Sequence, residues 1–118
     1  MNSKRKGKVG EQEAVHAIRA SWCFTESQKA RCIRSAQVSG SFAADIFMDG
    51  SRPGEDAVHV EVKRRKKIAS SAFMEQAMGD AAEGQLPVVV SREDGGIWMV
   101  TIRLQDSLDF SHWLTLRT

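Results

Sequence analysis

The sequence predicts one α/β domain across residues 1–118, with a small mixed β-sheet flanked by helices in the order α-β-β-β-α-β-β. Three observations predict it. An apolar stripe of helical period runs from about Gly10 to Trp22. The run Val58-His59-Val60-Glu61-Val62-Lys63 alternates without a break, as a strand does when its two faces differ. Pro87-Val88-Val89-Val90 is apolar on both faces, as a central strand is. A chain of 118 residues is long enough for one modest core, and its 42% hydrophobic and 27% charged content is that of an ordinary globular domain.

Residues 1–8 read as a flexible basic arm. In the helix that follows, Glu11, Val15, Ile18 and Trp22 share a narrow inward stripe, whereas Glu13 points almost opposite, to solvent. An acid on the inward stripe needs a reason, because an unpaired buried charge is costly. Cys32 to Gln37 is a first strand, Ser39-Gly40-Ser41 a turn, and Phe42 to Met48 a second strand carrying Asp45. The alternating strand spans 57–63. Ser70 or Ser71 then caps a helix running to about Glu83, with Phe73, Met74, Ala77, Met78 and Ala81 inward and Gly84 as its stop. The central strand starts at Pro87, and Glu93-Asp94-Gly95-Gly96 turns the chain into a strand over Ile97 to Ile102. A short helix or an edge strand ends the chain.

Charge narrows the function classes. The net charge is only +2, yet Lys4, Arg5, Lys6 and Lys8 form one basic cluster and Lys63, Arg64, Arg65, Lys66 and Lys67 another, nine of the 17 basic residues. Two dense clusters in a nearly neutral chain point to local attraction for a polyanion. No apolar run approaches the roughly 18 residues of a membrane span. No apolar run follows the basic start, so an intracellular, cytoplasmic protein without a secretory signal is expected. Cys23 and Cys32, with no CxxC spacing or neighbouring His pair, are expected to be free thiols.

The alternating strand carries the chemistry. Glu61 and Lys63 fall on one face, roughly 7 Å apart along the strand. Phosphodiester hydrolysis needs an activated water and a counter-charge for the transition state, and divalent metals held by carboxylates supply both. Asp45 and Glu61 are the candidate ligands, with the backbone carbonyl of Val62. Lys63 is placed to stabilise developing charge or position the water. Glu11 is a candidate ligand to the same metal, directly or through a water, or to a second ion. His16, His59 and His112 have no ligand spacing between them, although His59 shares the face of Glu61 and Lys63.

Lys6-Gly7-Lys8-Val9-Gly10-Glu11-Gln12-Glu13 resembles the opening of Holliday-junction-resolvase-like members of the PD-(D/E)XK nuclease superfamily, where a basic, Gly-containing segment precedes a helix bearing E-x-E. Arg34-Ser35-Ala36-Gln37-Val38-Ser39-Gly40, then Ala44-Asp45-Ile46, is similar to the family's Arg/Ser/Gly-rich loop and first metal-binding Asp. Val60-Glu61-Val62-Lys63 is similar to its E-x-K. Glu75-Gln76-Ala77, Asp80-Ala81 and Leu86 through Val100 resemble the remainder of phage-type members. Ala44 stands where the family name has Pro. The resemblance implies a restriction-endonuclease-like core and a structure-directed endodeoxyribonuclease acting on branched DNA, usually as a homodimer. It implies Mg²⁺ as cofactor, with Mn²⁺ able to substitute, and catalytic Glu11, Asp45, Glu61 and Lys63. The DNA contacts expected are Lys4, Arg5, Lys6, Lys8, Arg34, Gln37, Arg64, Arg65, Lys66, Lys67 and Gln76, mostly to phosphates, which orient DNA without reading sequence. A non-catalytic DNA-binding module on the same fold and an RNA-processing nuclease are the alternatives.

Overall fold

The computed structural model describes residues 3–23, 25–34, 44–48 and 58–116. They form a small mixed α/β domain. Helix α1 (Ser3–Trp22) leads to α2 (Glu26–Ala30), β1 (Ile33–Arg34), β2 (Ile46–Phe47) and β3 (Val58–Arg65). Helix α3 (Ser70–Asp80) connects β3 to β4 (Leu86–Glu93), and β5 (Met99–Thr101), a 3₁₀ turn (Leu104–Asp106) and α4 (Ser107–Leu116) follow. The sheet order is β1-β2-β3-β4-β5. Strands β3 and β4 are parallel, joined across α3, and the other neighbours are antiparallel.

The two central strands are the longest and most buried. In β3 every residue from Val58 to Lys63 is buried, and in β4 every residue from Pro87 to Ser91. Their faces differ in what covers them. Val58, Val60 and Val62 join Ala14, Val15 and Ile18 of α1 and Phe110 of α4 in the main core. On the opposite face Val89 packs with Met74 and Ala77 of α3, with Phe73 at the side. Because β3 alternates, its polar residues His59, Glu61 and Lys63 all lie under α3. Trp22, Phe110 and Trp113 pack edge-to-face and stacked, with centroids 5.7–6.1 Å apart, and this cluster fixes α4 against α1.

Several expectations change. Helix α1 begins at Ser3, inside the segment read as a basic arm, because Lys and Arg are good helix formers and only Gly7 interrupts them before Gly10. Helix α3 is capped by Ala69 without a side-chain bond and ends at Asp80, short of Glu83. Gly84 is instead the left-handed residue (φ 84°) of the turn into β4. Met78 is 46% exposed, since Met74 and Ala77 already fill the contact of α3 with the sheet. The last described element is a helix, α4, and not an edge strand. Predicted strand positions 35–37 and 42–43 lie outside the described residues. Cys23 and Cys32 are both buried and are not joined in a disulfide. Among the described residues, no helix is long and apolar enough to cross a membrane.

The main correction concerns Glu13. It does not point to solvent. Its carboxylate accepts from Arg64 Nη1 at 3.0 Å and from Arg92 Nη1 at 2.9 Å. Those arginines are register partners on β3 and β4, so one carboxylate bridges the two central strands. The narrow apolar stripe missed this because Gly10, Ala14 and Ala17 widen the packed face of α1 toward Glu13. The approach is close: a Cβ on Gly10 would lie 3.3 Å from Cβ of Arg64. Glu13→Gln is therefore expected to lower stability by about 1–2 kcal/mol, as loss of charged hydrogen bonds at a half-buried position does, while leaving metal affinity unchanged. Chemical denaturation and metal titration of the variant check both halves.

Candidate active site

Asp45 immediately precedes β2. Its backbone N–H donates to Val60 O at 2.9 Å, and its Oδ2 accepts from Val62 N at 2.8 Å. Ile46 pairs with Val60, so one step along the ladder sets Asp45 beside Glu61. The side chain thus stitches β2 to β3 where the short strand begins, and it fixes the acid against the strand that carries the second acid. The N–H of Val62, the residue expected to offer its carbonyl, is the one that holds Asp45.

The two carboxyls behave as a pair. Burial pushes Asp45 up from 3.8 to about 7, and the negative charges of Glu61 and Glu11 push the same way against the hydrogen bond from Val62. Burial also raises Glu61, which is only 3% exposed, but hydrogen bonds with His59 and Asp45 and the electrostatic pull of His59 and Lys63 outweigh it and hold Glu61 low. Asp45 is therefore the acid of the pair that takes up a proton first as pH falls, while Glu61 keeps its charge. Oxygen donors in this state fit a hard divalent cation, which takes the place of the proton. Asp45 and Glu61 would hold such an ion, with Val62 at the junction between them.

Lys63, two residues beyond Glu61, is 9% exposed, with Nζ 5.7 Å from the centre of the Phe73 ring. The ring of Phe73 and the apolar cover of α3 hold the ammonium on the Glu61 face. Glu11 meets Arg34 Nε at 3.2 Å across the α1–β1 junction, so its direct partner is an arginine, while its charge is still felt at Asp45. Asp45, Glu61 and Lys63 are thus gathered on and beside β3, with Glu11 near enough for its charge to act on Asp45.

The expected DNA-contact residues divide. Lys4, Arg5 and Lys6 lie in the first turns of α1, Lys8 is exposed on the same helix, and Gln37 lies outside the described residues. Arg34 is taken up by Glu11. Arg64 faces α1, held by Glu13 and, at 3.6 Å, by Asp94. Arg65 is exposed, with its guanidinium 6.0 Å from the Phe73 ring centre. Lys66 and Lys67 are exposed in the bend after β3, and Gln76 is exposed on α3.

Two residues in this neighbourhood were not selected from sequence. His59 Nε2 lies 2.7 Å from Glu61 Oε1, and both are buried. Asp80, at the end of α3, brings a carboxylate to the same place: ligand atoms of His59, Glu61 and Asp80 all lie within 4.8 Å of one another. The shared strand face placed His59 there. For Asp80 the one sequence signal is an acid at the C-terminal end of a helix, the wrong end of the dipole. No family model matches the chain, and neither a curated protein nor a solved structure matches it.

Proposed function

We propose that this protein is a divalent-metal-dependent endodeoxyribonuclease of the PD-(D/E)XK type, similar to Holliday-junction resolvases. The observation that carries the reading is the Asp45–Glu61 pair beside Lys63, in which one carboxyl rises to about 7 and its neighbour is held low. Two buried carboxyls held side by side repel each other without an ion, and a cation bound between them would relieve that repulsion. The element order α1, then three strands, α3 and two strands is compatible with a restriction-endonuclease-like core, with α2 as an addition.

When bound, Mg²⁺ or Mn²⁺ supplies a water of lowered pKa and a counter-charge for the scissile phosphate. The chain's own residues do the rest. Asp45 and Glu61, both ionised, would hold the cation. Lys63 presents a desolvated ammonium toward the developing negative charge. Glu11, anchored by Arg34, keeps a negative charge acting on Asp45. Exposed Lys66 and Lys67, directly beyond the catalytic strand, meet backbone phosphates. Two symmetric cuts in a four-way junction need two active sites, and a two-fold homodimer supplies the second.

The basic cluster then splits in function. Lys66→Ala with Lys67→Ala is expected to reduce the salt slope of DNA binding by roughly 0.9 per lost phosphate contact, about two units together, with no loss of stability. Arg64→Ala is expected to lower stability instead, because it breaks the Glu13 bridge. Binding isotherms over a salt series, with melting curves, separate the two. Cleavage of a panel of four-way junction, flap, duplex and single-stranded DNA, with an RNA version of the branched substrate, tests the function. Preferential Mg²⁺-dependent cutting of branched DNA by a dimer is expected. Cleavage of the RNA version alone would overturn the DNA assignment.

A further inference from the structure

We propose that His59, Glu61 and Asp80 form a second cation site, on the α3 side of Glu61, that selects a transition metal such as Zn²⁺ over Mg²⁺. The proposal stands on this side-chain set and does not depend on the nuclease reading.

The donor atoms of the three residues lie within 4.8 Å of one another, with the His59 and Glu61 pair at 2.7 Å. Ligands about 2.0–2.2 Å from a shared Zn²⁺ lie roughly 3–3.5 Å apart. The 2.7 Å contact between His59 and Glu61 is a hydrogen bond that a shared ion would replace, so the site forms when that pair opens slightly and Asp80 moves in. Asp80 is the one placed to swing, because it is exposed while His59 and Glu61 are 1% and 3% exposed. Two buried donors with one at the surface give a site with an entry path. Three protein ligands also leave one tetrahedral position open.

A second observation comes from α3. Asp80 is its last residue, and no basic residue stands in its last turn. The C-terminal end of a helix carries partial negative charge, so a carboxylate there is on the unfavourable end, whereas a cation there is stabilised. A cation between Asp80 and Glu61 would stand where the helix end and both carboxylates favour positive charge. Selectivity follows from His59. Imidazole nitrogen suits Zn²⁺ and its neighbours, whereas Mg²⁺ takes oxygen ligands and water. Asp45 lies on the β2 side and offers oxygen only, so the two sides of Glu61 differ in the metal they prefer.

The test is calorimetric titration of the chelator-stripped full chain with Zn²⁺ and with Mg²⁺, in wild type, Asp80→Asn and Asp45→Asn. Far-UV circular dichroism establishes that each is folded. Asp80 is exposed, so its variant tests the site without disturbing the core, unlike changes at buried His59. Wild type is expected to bind Zn²⁺ more tightly than Mg²⁺. Asp80→Asn is expected to weaken Zn²⁺ by more than the roughly 10–100-fold that loss of an outer-shell partner costs, with Mg²⁺ unchanged. Asp45→Asn is expected to weaken Mg²⁺ and retain Zn²⁺. Wild-type Zn²⁺ affinity in Asp80→Asn, or loss of Zn²⁺ binding in Asp45→Asn, would overturn the proposal. A failure of the nuclease reading appears in cleavage assays and in the Mg²⁺ titrations and leaves the Zn²⁺ titrations, which test this proposal, unaffected.

Discussion

Asp45→Asn is expected to abolish metal-dependent DNA cleavage while making the metal-free protein more stable. The loss should exceed the roughly 10²–10³-fold that removal of one charge-stabilising donor costs, because the substitution removes a ligand and the charge it offers the cation. The gain in stability follows from linkage. In the unfolded chain Asp45 ionises near its ordinary value of 3.8, and in the folded protein near 7. Between those values the unfolded state releases a proton that the folded state keeps, so stability falls as pH rises through the window and levels off above about 7. Asparagine has no proton to lose, and its carbonyl oxygen still accepts from Val62. The stability difference between variant and wild type should therefore be near zero at pH 4, grow with pH and level off above neutrality. Each tenfold difference in proton affinity between the folded and unfolded chain corresponds to about 1.4 kcal/mol, reduced here because Glu61 moves in the opposite sense. A net gain of about 1 kcal/mol would raise the melting temperature by roughly 4 °C in a domain of this size. Melting curves from pH 4 to 8 without metal, with single-turnover cleavage at pH 7.5, check both effects.

Lys63→Met is expected to lower the cleavage rate by about 10²–10³-fold, the loss seen when a preorganised charge-stabilising group is removed. Methionine keeps an apolar stem against Phe73, so the fold should survive. Metal affinity should change little, and toward tighter binding, since the ammonium helps hold Glu61 low and competes with a cation for that carboxylate. A rate loss without a loss of metal affinity distinguishes a charge-stabilising lysine from a structural one. Metal titration beside single-turnover kinetics gives both numbers.

The elements legible in the sequence were those with a strong period. Strand β3 alternates Val with polar residues, β4 is a valine run, and α1 carries Val15 and Ile18 on one face. Each emerged where expected, with ends shifted by a few residues. The helix after β3 was legible too, but not its end, because Asp80, Ala81, Ala82 and Glu83 contain no strong stop and Gly84 serves the next turn. Helix α1 began earlier than its apolar stripe, since Lys4, Arg5, Lys6 and Lys8 are good helix formers and carry the helix back to Ser3.

The pairing of Asp45 with Glu61 was legible as chemistry, two acids and a lysine in order along the chain. The partners of individual charges were not. Glu13 and Arg64 are 51 residues apart, and Glu13 and Arg92 are 79 apart. Their meeting depends on how closely α1 approaches β3 and β4, which Gly10 sets through the absence of a side chain. Asp80 comes near His59 because α3 runs back along β3 after the crossover. Such contacts belong to tertiary packing, and no local periodicity encodes them.

Glu61 is the residue on which the proposed activity turns, as a metal-holding carboxylate in a DNA-cleaving site. Its most direct test is single-turnover cleavage of a four-way junction by wild type and Glu61→Gln, each with Mg²⁺, with Mn²⁺ and with excess chelator, on protein shown by circular dichroism to be folded. Cleavage is expected from wild type with either metal, none with chelator and none from folded Glu61→Gln. Undiminished cleavage by Glu61→Gln, or wild-type cleavage that persists in chelator, would contradict a metal-dependent nuclease centred on this carboxylate.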